Sequence, residues 1–77
     1  MHELSITRNV IAICAEQAAG AKVLRVRLEI GKRAGVMAES VRFCFDICAA
    51  GTVLEGATLE IVEPLGDELK IKEMEVA

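Results

Sequence analysis

Between Leu4 and Ala19 the apolar residues Ile6, Val10, Ile13, Cys14 and Ala18 recur at spacings of three and four, and Gly20 follows where a left-handed cap would close a helix. This predicts an amphipathic helix. In KVLRVRLEIG the period changes to two, with Leu24, Val26, Leu28 and Ile30 on one side and Arg25, Arg27 and Glu29 on the other, the signature of a strand with one wet face. KRAGVM is a loop, and the helical period returns from Ala38 to Ala50, again with a glycine, Gly51, just beyond. On a helical wheel Val41, Cys44, Phe45 and Cys48 form one stripe and Phe43, Ile47 and Ala50 a second on roughly the far side. The first stripe should face the sheet. The second either packs on the first helix or stays exposed as a docking patch, and packing is the expectation because a small domain seldom leaves a Phe uncovered.

Two further strands end the chain. With Leu59, Ile61, Leu69 and Ile71 all turned to the core, strand parity allows a hairpin that pairs Ile61 with Leu69 and Leu59 with Ile71 and sets Glu60 against Lys70 and Thr58 against Lys72 outside. That hairpin leaves Pro64, Leu65 and Gly66 as a three-residue loop, with Pro64 at the first turn position and Gly66 at positive φ. Beyond Ile71 the alternation breaks at Glu73, since Met74 and Val76 are out of phase, so a bulge or a change of partner is expected there. The order helix, strand, helix, strand, strand predicts a two-layer α+β fold: a mixed three-stranded sheet with both helices on one face. The first two strands should be parallel, joined by a right-handed helical crossover.

At 77 residues the chain is long enough for one core only, so residues 1–77 read as a single domain. A hydrophobic fraction of 53% against 27% charged residues is that of a globular chain, not a disordered one. The net charge of −3 and the absence of Trp and Tyr remove both the phosphate attraction and the stacking surfaces of nucleic-acid binders. The early apolar run, Val10 to Ala15, is too short for a membrane span and follows an acidic start, which points to a cytoplasmic protein. Three cysteines without a C-x-x-C pair fit reduced thiols, not a disulfide framework or a zinc knuckle. Cys44 and Cys48 are four apart on a helix, as metal ligands can be, but they share a stripe with Val41 and Phe45 and read as core, as does Cys14. IGKRAG lacks the spacing of a phosphate loop, and Glu68, Glu73 and Glu75 interleave with Lys70 and Lys72 on a solvated face. With a single histidine at position 2 and no nucleophile–base pairing, the chain is not expected to be an enzyme.

What the terminus can do is chelate. An amine, a backbone nitrogen and the His2 imidazole are neighbours along the chain, and planar nitrogen sets suit nickel(II) or copper(II), although taken alone a His at the terminus reads as a frayed one. MHELSI at the start, LEIG ending the first strand, ESVRFCFD on the second helix, GTVLEGATLEI leading into the second strand and GDELKIKEMEV at the end together resemble the HypA/HybF family of [NiFe]-hydrogenase nickel metallochaperones. The resemblance covers nearly the whole chain in the right order. It implies nickel(II) held by the amine, imidazole and backbone nitrogens of Met1, His2 and Glu3, delivery with a HypB-type GTPase, and docking on the hydrogenase large subunit. One departure is large: the family's zinc module, with its two C-x-x-C pairs, is missing between residues 63 and 67, where EPLGDE stands instead, so no zinc is expected. The module is either deliberately removed or naturally lost, and the clean turn and intact flanking strands favour removal. A metal-free docking module using the Phe43/Ile47 stripe is the competing function. Self-association into a homodimer stays open, since a sheet edge can accept a second copy.

Overall fold

The computed structural model describes residues 2–77. Its elements are α1 (Glu3–Ala18), β1 (Val23–Ile30), α2 (Ala38–Ala49), β2 (Thr58–Val62) and β3 (Leu69–Val76), and the three strands form one sheet in the order β2-β1-β3. β1 runs parallel to β2, with Val26 opposite Leu59 and Leu28 opposite Ile61, and antiparallel to β3, with Leu28 opposite Ile71 and Ile30 opposite Leu69. Both helices cover one face, giving the expected two-layer α+β fold.

The expected hairpin is corrected. β2 and β3 do not pair with each other; β1 lies between them, so Ile61–Leu69 and Leu59–Ile71 are not partners and Pro64, Leu65 and Gly66 do not close a hairpin. Instead residues 63–68 cross over the end of β1. There the Gly31 amide donates to the Glu68 carbonyl (2.7 Å), Lys32 to Pro64 (2.9 Å) and Arg33 to Gly66 (2.7 Å). A Cβ on Gly31 would stand 2.4 Å from the Gly66 carbonyl oxygen, so the crossing is possible only over a glycine. Parity assigned the inward faces correctly but cannot tell direct pairing from pairing through a shared central strand. The charges show what favours the observed order. Arg25 and Arg27 on the wet face of β1 are flanked on one side by Glu60 of β2 (2.9 and 3.2 Å) and on the other by Glu73 and Glu75 of β3 (3.2–3.3 Å). Glu60, expected opposite Lys70, instead has its carboxyl held below the usual range, chiefly by the Arg27 guanidinium.

The break after Ile71 is a bulge. Leu28 faces Ile71 while Arg27 faces Glu73, leaving Lys72 as the extra residue and returning Met74 to the core side. A second irregularity lies between Val23 and Arg25, and there Val23 takes the fully buried position while Leu24, expected inside, is exposed.

The core joins Val10, Ile11 and Cys14 of α1, Val23, Val26, Leu28 and Ile30 of β1, Val41, Phe45 and Ala49 of α2, and Leu54 from the following turn. The buried stripe of α1 is rotated from the expected one: Thr7 and Ile11 are inside, and Ile13 is 49% exposed. Thr7 tolerates full burial because its hydroxyl donates to the Glu3 carbonyl at 2.6 Å. The left-handed cap residue of α1 is Ala19, with Gly20 following at positive φ. On α2 the Val41/Phe45 stripe packs inward as expected, with Cys44 and Cys48 half-buried along its edge. The opposite stripe does not pack on α1; Phe43 is 71% and Ile47 58% exposed. One helix can fill only one side of so small a layer, and α1 has already met the Val41/Phe45 side.

Candidate functional site

The start of α1 gathers the residues singled out at the terminus. His2 occupies the N-cap position with φ −121° and ψ 27°; its carbonyl accepts the Ile6 amide at 3.0 Å, its side chain makes no capping bond, and the residue is exposed. The imidazole is therefore uncommitted to the helix that its main chain begins. Met1 lies outside the described residues.

Glu3, the first helical residue, is placed differently from a bystander. It is 9% exposed, and its Oε2 accepts the Met37 amide at 3.0 Å. Met37 is the N-cap of α2, and its carbonyl in turn accepts Val41 at 3.1 Å. One carboxylate thus clamps the beginnings of both helices together, where their aligned peptide dipoles favour negative charge. The Met37 amide is the main cause holding the Glu3 carboxyl below its usual range, opposed by burial. Sequence reasoning placed Glu3 through its backbone nitrogen and missed this side-chain role; the available signal was an acidic residue in the first turn of an apolar-periodic helix.

Beside this clamp a shallow recess is lined by Glu3, Leu4, Glu39, Ser40, Phe43 and Cys44. The exposed Phe43 side chain thus adjoins the terminus. Among the described residues no group of three His, Cys, Asp or Glu side chains is close enough to hold a metal ion, and no helix is long and apolar enough to cross a membrane.

The comparisons with known proteins agree with one another. Residues 1–67 match the profile of the family described as hydrogenase/urease nickel incorporation, metallochaperone, HypA. The hydrogenase maturation factor HypA of Rippkaea orientalis is 70% identical over 66 residues, covering 86% of this chain and 58% of the relative. The chain thus spans little more than half the length of that relative. The factor of the same name from Trichodesmium erythraeum is 43% identical over 109 aligned positions, covering 99% of this chain and 96% of the relative. The solution structure of the Ni metallochaperone HypA from Helicobacter pylori superposes with a TM-score of 0.73 at 21% identity, over 100% of this chain and 94% of that one, a likeness of fold. With the family profile matched over most of its length and close relatives sharing its residues, the chain belongs to the HypA family.

Proposed function

We propose that this chain is the nickel-binding domain of a metallochaperone for [NiFe]-hydrogenase maturation, capturing nickel(II) at Met1, His2 and Glu3 for delivery, with no catalytic step of its own. The observation that carries the reading is the family match beginning at residue 1 together with a His2 side chain that is exposed and uncommitted at the helix start. The donors are the amine of Met1, the His2 imidazole and main-chain nitrogens as far as Glu3. Such a nitrogen-rich set suits nickel(II).

A helix N-terminus by itself repels a cation. The Glu3 carboxylate, fixed between two helix starts, supplies compensating negative charge, and Glu39 in the first turn of α2 adds to it. Nickel must displace protons from its nitrogen donors, so binding weakens on acidification and acid releases the ion.

The zinc module of the family is absent between residues 63 and 67. An alignment of 109 positions against a chain of 77 residues requires gaps in this chain, and the family match ends at residue 67, both as expected for a segment lost there. No zinc is then bound. The partners are a HypB-type GTPase and the hydrogenase large subunit, in the cytoplasm, and the apolar Phe43 and Leu4 beside the terminus are placed to meet a recipient at the point of transfer.

The test is a calorimetric nickel titration at neutral pH of protein with a free Met1 amine, beside its His2→Ala variant. One-to-one binding by the parent, lost in the variant and on acidification, is expected. Equal weak binding by both would overturn the nickel reading in favour of a metal-free docking module, which the exposure of Phe43 and Ile47 supports as the second reading.

A further inference from the structure

Cys44 and Cys48 stand one turn apart on α2, in the half-buried stripe that separates its buried Val41/Phe45 side from its exposed Phe43/Ile47 side. Both are free, and neither thiol makes a hydrogen bond. Cys14 differs: it is almost fully buried on α1 beside Ile71 and Met74, where burial pushes its thiol pKa up. Free cysteine is among the most buried residue types, so two thiols left within reach of solvent call for a reason.

Residues four apart on a helix have Cβ atoms about 5–6 Å apart, too far for a disulfide, which needs about 3.5–4.5 Å. A metal ion can span that gap. Two thiolates in line on one ion stand about 4.6 Å apart at a metal–sulfur distance of about 2.3 Å, within the reach of two χ1 rotations. The number of donors then decides which ion fits. Among the described residues no group of three His, Cys, Asp or Glu side chains is close enough to hold a metal, so the pair has no third protein ligand of these types. Structural zinc takes four ligands and nickel(II) suits square nitrogen sets, and two sulfurs serve neither. A soft monovalent ion is satisfied by two thiolates. We propose that Cys44 and Cys48 form a two-thiolate site for copper(I), separate from the terminus.

The binding step balances without a change of oxidation state. Two sulfur–hydrogen bonds break, two copper–sulfur bonds form, two protons pass to water, and the bis-thiolate carries one negative charge. The surroundings suit a low coordination number. Apolar side chains flank the pair on both sides of its stripe and keep further ligands away, while the recess that Cys44 shares with Leu4 and Phe43 leaves a way in. The site itself does not depend on the nickel reading, but where that reading holds it has a use. Nitrogen donors that hold nickel(II) hold copper(II) more tightly, and a thiol pair that keeps copper monovalent and sulfur-bound withdraws that competitor from the terminus.

The test is an anaerobic titration of the reduced full chain with copper(I) against the chromophoric chelator bicinchoninate, with circular dichroism to establish folding. The parent should withdraw one ion per chain and show an ultraviolet thiolate-to-copper band. C44A and C48A should each weaken uptake by at least about tenfold, the lower bound for disturbing a metal's surroundings. C44A/C48A should abolish uptake although Cys14 and His2 remain. Alanine is the strongest helix former, so these variants are expected to fold. Should the double variant not fold, X-ray absorption of the copper-loaded parent decides by counting two sulfurs around the ion. A parent that takes no copper from the chelator, a folded C44A/C48A that takes as much as the parent, one ion shared by two chains, or a shell with fewer than two sulfurs overturns the proposal. His2→Ala should bind copper(I) as the parent does, and its loss of copper would equally overturn a separate site. Nickel titration of C44A/C48A should match the parent, so failure here and failure at the terminus are read separately.

Discussion

Gly31→Ala tests the crossing of residues 63–68 over the end of β1. The added Cβ would lie 2.4 Å from the Gly66 oxygen, 2.7 Å from its carbonyl carbon and 3.0 Å from the Asp67 nitrogen, all main-chain atoms with no flexible tip to yield. Relief requires the loop to lift away from β1, which strains or breaks the bonds from Gly31, Lys32 and Arg33 to Glu68, Pro64 and Gly66. Overpacking of this kind costs about 1–3 kcal/mol, and one or two lost hydrogen bonds add about 1 kcal/mol each. The smaller entropy of the unfolded Ala chain offsets about 0.4–1 kcal/mol. The net expectation is a loss of about 2–3 kcal/mol, or a fall in Tm of about 10–20 °C for a domain of this size. Far-ultraviolet circular dichroism melts measure it, as the chain lacks Trp and Tyr. Gly51→Ala is the control: its φ is +80° but nothing stands within 4 Å, so only backbone strain of about 1 kcal/mol should appear. A Gly31→Ala protein melting within about 3 °C of the parent, and above Gly51→Ala, would refute the crossing and restore the direct β2–β3 hairpin.

The two phenylalanines of α2 should separate cleanly. Phe45→Ala empties a position 2% exposed and should cost about 3–5 kcal/mol, whereas Phe43→Ala, 71% exposed, should change stability by no more than about 0.5 kcal/mol, both by denaturant titration. The Glu3 clamp carries a pH signature. A carboxyl whose folded pKa lies below its unfolded value stabilises fully above the unfolded value, about 4.3, and that stabilisation is lost as pH falls through the lower, folded one. The Tm advantage of the parent over Glu3→Gln should therefore be complete at about pH 6 and shrink steadily below about pH 4; an advantage that does not change with pH would remove the charge from the argument. For the terminus, nickel affinity should fall on acidification, followed by calorimetry, because protons compete for the same nitrogen donors.

Element order, helix positions and the inward faces of the strands, apart from the start of β1 where Val23 replaces Leu24 inside, were legible in the sequence because burial repeats with the period of each element. The bulge near Lys72 was legible for the same reason, as a fault in the period. Strand order was not legible. Leu59 and Ile71 face the core whether they meet each other or both meet β1, and what favours the outcome is the pair of arginines on β1, which find carboxylates on both flanks only when that strand is central. Thr7 and Leu54 escaped a reading based on hydrophobic period. Thr7 is polar until its hydroxyl is satisfied within the helix, and Leu54 sits in a turn, held where Thr52 accepts its amide at 3.0 Å. At the terminus, sequence pointed to His2, while the Glu3–Met37 bond joins residues far apart in the chain and has no local pattern.

Because β2 and β3 each take their register from β1, the segment between them sets no register at all. A true hairpin loop cannot change length by one residue without turning a strand over; this connection can. It need only be long enough to pass over Gly31, and the closure entropy of a longer segment grows slowly, by about 0.6 kcal/mol for each doubling. The same frame therefore accepts a short strap or a whole inserted module at one point, and residues 63–68 form a natural port for grafting a foreign domain without disturbing the sheet.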